Sequence, residues 1–214
     1  MKADRQAVTR RSLTLAATLA LAGCASLFVS APRRLYRLTA PRDFPPALPH
    51  SSAELAIERP QAPAGIDVSR IALARSPLTL DYYADAEWTD RVPDLIQDLL
   101  LDAFENSGAL TAVDRGSAGV RADFVLGTEI RHFEAVYGGE GTPPLVWVEM
   151  IVRLVAVRGR AIAGQSRFER RVAASANDVP AVVSAFDAAT TAVLRDIVVW
   201  TVGNAALSRS RRSL

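Results

Sequence analysis

Apolar side chains fall along this chain in two periods. Around residues 90–107, Val92, Leu95, Ile96, Leu99, Leu100, Ala103 and Phe104 recur at three- and four-residue steps, with Asp94, Gln97, Asp98, Asp102 and Glu105 between them. That spacing predicts a helix with one apolar and one wet side. Pro93 suits its first turn and Gly108 its end. A second stripe, Val182, Val183, Phe186, Thr190, Val193, Leu194, Ile197 and Val198, predicts another long helix. Pro180 begins it, and Asn177 or Asp178 caps it. Its end adds Val199, Trp200 and Val202, so it is apolar nearly all round. Such an end is expected between layers or against a partner.

Elsewhere the period is two, the mark of half-covered strands. Short strands are expected at residues 35–38, 54–58, 70–74, 78–82 and 110–113, with turn chemistry at Arg75-Ser76-Pro77. Three longer strands form a meander. The first spans about 123–137, with a change of phase near Phe133 that suggests a bulge. The second, 145–158, sets Val146, Val148, Met150, Val152, Leu154 and Ala156 on one face. Its other face, Trp147, Glu149, Ile151, Arg153 and Val155, is too apolar to stand fully exposed. The third, 161–174, points Ile162, Phe168 and Val172 inward. Residues 138–144 read as a glycine-rich hairpin tip. The expected fold class is α+β: two layers, a mostly antiparallel sheet packed against two long amphipathic helices.

Residues 81–90 stand apart as a loop that gathers Tyr82, Tyr83 and Trp88 among carboxylates. One reading makes it a recognition loop, since Tyr and Trp suit interfaces. The other has the aromatics staple the start of the first helix to the sheet. Tyr82, Tyr83, Trp88, Val199 and Trp200 are the candidate partner-binding residues.

The N-terminus changes the picture of where the domain works. Lys2, Arg5, Arg10 and Arg11 precede an apolar run at residues 13–20, and Leu21-Ala22-Gly23-Cys24 follows. A positive start, a short apolar run and small residues before a cysteine form a lipoprotein export signal. Residues 1–23 are then removed, and Cys24 carries the acyl chains. Several such chains anchor a protein stably. Ala25 after the cysteine, rather than Asp, favours the outer membrane facing the periplasm. Arg10-Arg11 leaves general or twin-arginine export open. Seven prolines between residues 32 and 63 predict a stiff membrane tether with short strands over 24–63, ahead of a domain at 64–207 and a basic tail at 208–214.

Loss of residues 1–23 turns the formal charge from +2 to −1, with 21 basic and 22 acidic groups left. No basic excess remains to suit nucleic acid. Two histidines, His50 and His132, and one cysteine do not predict a metal centre. There is no G-x-S-x-G elbow and no phosphate-binding loop ending in Lys-Ser/Thr. No enzyme activity and no cofactor beyond the lipid on Cys24 are expected.

The lipobox, the Tyr36-Arg37-Leu38 strand and the segment Tyr82-Tyr83-Ala84-Asp85-Ala86-Glu87-Trp88-Thr89-Asp90-Arg91-Val92-Pro93 resemble the ABC-type transport auxiliary lipoproteins. The shared pattern is an aromatic-Ala pair, then a Trp, then a Pro at the head of a helix. The helix ending at Gly108 and the strand Ala122-Asp123-Phe124-Val125-Leu126 follow in the same order. The resemblance spans nearly the whole chain after Cys24. It implies a periplasmic lipoprotein that accompanies an ABC transporter and an MCE-domain protein in envelope lipid transport, with Cys24 as the lipidated residue. It offers no catalytic residues. Direct binding of phospholipid and assembly into homo-oligomers are compatible with it. The alternative is an outer-membrane assembly or secretion lipoprotein partnering a barrel protein.

Overall fold

The computed structural model describes residues 33–116, 122–139, 141–204 and 207. Cys24, the export signal and the basic tail lie outside them. The elements run β1 (Arg34–Tyr36), β2 (Ser51–Ile57), β3 (Arg70–Ser76), β4 (Thr79–Trp88), α1 (Val92–Ser107), β5 (Leu110–Arg115), β6 (Phe124–Val136), β7 (Leu145–Ala156), β8 (Ala161–Ala173) and α2 (Val179–Val202).

The sheet corrects the expected fold class. It is a curled, mixed half-barrel and not a mostly antiparallel sheet on two long helices. Among the described residues four pairings between named strands are parallel, β1–β4, β2–β5, β2–β6 and β3–β6. Three are antiparallel, β3–β4, β6–β7 and β7–β8. The long strand β6 is the spine. One of its edges pairs with β7 along its whole length. Its other edge takes β2 beside residues 124–126, Gln61 beside Glu129, and β3 beside residues 135–136. Two strands in series along one edge force the sheet to fork and curl. Side-chain period reports a strand and its faces but not its partner, so the parallel crossovers leave no local mark.

The helices form as their spacing predicts. Gly108 closes α1 in the left-handed conformation, at φ 60°. Asp178 caps α2 by accepting a hydrogen bond from the Ala181 N–H at 2.8 Å. Gln97 departs from the expected wet face of α1: it is buried, and its Nε2 donates to the Ile57 carbonyl at 2.9 Å. Trp88, Phe133 and Phe186 meet edge-on or tilted at 5.0–6.0 Å in the core.

Residues 34–63, read as the part of the tether with short strands, contribute β1 and β2 to the sheet. The folded unit begins at Arg34, and much of residues 34–63 is built into it. β2 is flanked by β5 and β6. Residues 38–48 lie along α2 (the stretch holding Leu38, Phe44 and Leu48 against the core). The Thr39 N–H and hydroxyl both donate to Asp187, the Thr191 hydroxyl donates to the Thr39 carbonyl, and Arg195 pairs with Asp43. Proline keeps this segment extended without preventing it from packing. It covers part of the nearly all-apolar α2. Among the described residues, no helix is long and apolar enough to cross a membrane.

Candidate functional site: the open face of the β6–β8 sheet

β7 divides its side chains between two environments. Val146, Val148, Met150, Val152 and Leu154 are wholly buried on the face that packs against α2. Leu145, Trp147, Ile151 and Val155 point the other way, where no helix among the described residues covers them, and are half-buried or exposed. They form an apolar strip between two charged margins. On the β6 side stand His132, Glu134 and Glu129; on the β8 side stand Arg167, Glu169 and Arg171.

Trp147 is the centre of this face. The His132 ring stacks on it at 3.4 Å and 10°. The Arg171 guanidinium lies 4.0 Å from the indole centroid, a cation–π arrangement. Glu134 accepts from His132 Nδ1 at 2.7 Å and from the Phe133 N–H at 2.8 Å. An ionised carboxylate only accepts, so the ring nitrogen is the donor. Arg167 donates to buried Glu149 at 2.7 Å and to Glu169 at 3.2 Å, and Arg171 Nε donates to Glu169 at 2.8 Å. These pairs hold the rings and the carboxylates in place. A bulge makes the geometry possible: the register shifts between Ile130 and His132, where the sequence changes phase. The shift turns both Glu134 and His132 toward Trp147.

Two hollows lie at the ends of the strip. One, about 630 Å³, lies between the β3–β4 turn (Ser76, Pro77, Leu78) and His132, Glu134 and Trp147. The other, about 360 Å³, is lined by Val125, Gly127, Val155 and Val157, with Glu58 and Arg153. Each joins apolar side chains to charged ones. Among the described residues, no group of three or more His, Cys, Asp or Glu side chains is placed to hold a metal ion.

The residues singled out in the sequence lie elsewhere. Residues 81–88 are part of strand β4 and not a loop. Their alternation suits a strand, and β4 pairs with both β1 and β3. Trp88 is 1% exposed, so it staples the start of α1 and has no surface to offer a partner. Tyr82 donates to the Gly65 carbonyl at 2.9 Å and carries Arg70 over its ring at 3.6 Å. Tyr83 hydrogen-bonds to Tyr137, which donates to Asn177 Oδ1 at 2.9 Å. Burial, and then that bond, push the Tyr83 hydroxyl well above the usual phenol range. Val199 and Trp200 are half-buried at the end of α2, and Trp200 meets Phe168 edge-on at 5.8 Å. None of these five belongs to the open face. Trp147 and Ile151 do, and the excess of apolar residues on both sides of their strand was the signal that marked it. Ile162, read as inward, is 64% exposed because the register shifts between Leu154 and Val155.

Known proteins share this architecture. A crystal structure of a Xanthomonas campestris protein superposes with a TM-score of 0.76 at 29% identity, covering 85% of this chain and 99% of that one. A crystal structure of an uncharacterized protein gives 0.62 at 11% identity, covering 78% and 97%, a likeness of fold alone. An uncharacterized protein of Bradyrhizobium diazoefficiens is 33% identical over 168 residues, 78% of this chain and 44% of that protein. The chain thus spans less than half the length of that relative. Residues 36–198 match the family described as the ABC-type transport auxiliary lipoprotein component, and the chain belongs to that family.

Proposed function

We propose that the protein is a non-enzymatic companion of an envelope lipid-transport system in which an ABC transporter works with an MCE-domain protein. In this reading Cys24 carries the lipid anchor, holding the domain at the outer membrane on its periplasmic side. No cofactor is used beyond that lipid. The observation that carries the reading is the open face of β6–β8: an apolar strip on β7 between margins of paired charge. Such a surface suits an amphipathic partner, because its apolar centre gains from burial while its rim stays hydrated. The charged side chains are already paired, so docking leaves no isolated charge buried. The interface is tested by Ile151→Arg, which puts a charge in the middle of the strip. Co-purification with the MCE-domain protein should fall at least tenfold while the unfolding midpoint is unchanged. Undiminished co-purification from a folded variant would remove this face from the account.

The two hollows support a second reading, direct contact with a phospholipid chain, since both join apolar side chains to arginine. Native mass spectrometry after gentle extraction should then find phospholipid bound, and Ile151→Arg should release it. Only lipid-free protein in both samples would count against this second reading.

A further inference from the structure

We propose that the turn joining β3 and β4 is a second membrane contact, which inserts Leu78 into the lipid surface to which Cys24 ties the chain. The proposal rests on the anchored reading above. Leu78 is 96% exposed at the tip of this turn, next to Pro77, and Leu80 behind it is 40% exposed. Leu145, also exposed, belongs to the same end: it faces Val136 across β6–β7, and Val136 faces Ala74 of β3.

The Leu78 N–H and the Ser76 and Thr79 hydroxyls are engaged within the turn, which lowers the cost of contact with lipid. Pro77 has no N–H. The Leu78 N–H donates to Ser76 Oγ at 3.4 Å, and Ser76 Oγ lies 3.0 Å from Thr79 Oγ1. Arg75 stands at the base of the turn, its guanidinium 5.5 Å from the Tyr137 ring. A cation behind an apolar tip suits anionic headgroups.

The length of chain before the domain brings the membrane within reach as the occupant. Ten residues lead from Cys24 to Arg34, a reach of at most about 35 Å. β1 starts beside Ala86 and runs parallel to β4, away from the turn. From Ala86 back to Thr79 is seven residues of strand, about 23 Å. The leash therefore exceeds the distance from the start of β1 to the turn, and the turn lies within reach of the anchoring surface.

The test uses the full-length, processed lipoprotein. Cys24 is the only cysteine, and acylation blocks its thiol, so Leu78→Cys offers a single site for an environment-sensitive fluorophore. Ile162→Cys, at the β7–β8 end, is the control. Both are reconstituted in vesicles of phosphatidylethanolamine and phosphatidylglycerol. A blue shift at position 78, quenched by doxyl-labelled lipid and absent at position 162, is expected. Water-like emission at position 78 on protein that floats with the vesicles would overturn the membrane contact and leave the anchor standing. A concentration-dependent blue shift without doxyl quenching would overturn it in favour of a protein neighbour. Failure to float, with a reactive Cys24 thiol in the unsubstituted chain, would overturn the anchored reading itself.

Discussion

At the scale of single residues, Trp88 shows how an aromatic in a polar-looking stretch can belong to the core. Its ring meets Phe133 and Phe186 at 6.0 and 5.2 Å, while its Nε1–H is buried without a partner among the described residues. The apolar contacts outweigh the cost of that donor, about 1–3 kcal/mol. Trp88→Ala should therefore cost about 3–5 kcal/mol in urea unfolding. Trp88→Phe should cost much less, because it removes the unpaired donor along with part of the ring. Equal losses would show that the N–H has a partner. Asp67 gives a second prediction at this scale. Hydrogen bonds from Arg91 and then Arg59 hold its carboxyl down to about 2, from an ordinary value near 3.8. The unfolded chain binds the proton more readily, so the stabilisation is complete above pH 4 and lost as pH falls toward 2. With both arginines about half in water, the contribution is about 1 kcal/mol. Asp67→Asn should lower stability at pH 7 by that much and flatten the acid limb of the stability curve. An unchanged acid limb would assign the loss to other carboxylates.

At the scale of elements, α2 and β8 meet through a missing side chain. A Cβ on Gly164 would lie 2.7 Å from Asn204 Nδ2 and 3.1 Å from the Trp200 ring. Gly164→Val should thus push the end of α2 off the sheet, costing about 1–3 kcal/mol and shifting Trp200 emission to the red. Full stability with unchanged emission would mean that the helix end is not seated there. Both helices, their capping Asp178 and Gly108, and the bulge near Phe133 were legible in the sequence, since each leaves a local signature. β4 was only half legible. Its first residues, 79–82, read as a strand, while the carboxylates of 81–90 looked like a loop. They are tolerated because Asp81 and Asp85 stay exposed while Ala86 and Trp88 turn inward. The open face was legible as an oddity of β7. The His132–Trp147–Arg171 arrangement was not, because it joins three strands whose register no local pattern reports.

At the scale of the whole domain, pairing between distant segments decides the architecture. β2 reaches β5 and β6 by parallel pairing across long stretches of chain, and residues 38–48 fold back over α2. Composition suggested a stiff tether with short strands there, and prolines mark both linkers and extended chain packed on a surface. The result is a curled, mixed sheet in which β7 buries one row of side chains and leaves the other open. The central claim is that this open face serves an ABC/MCE lipid-transport system from the membrane. The most direct measurement is to purify the lipidated protein from crosslinked native envelopes and identify its companions by mass spectrometry. An MCE-domain protein and its ABC transporter, captured with the unsubstituted chain and lost with Ile151→Arg, are the predicted result. Capture of a barrel or secretion protein in their place would contradict the account.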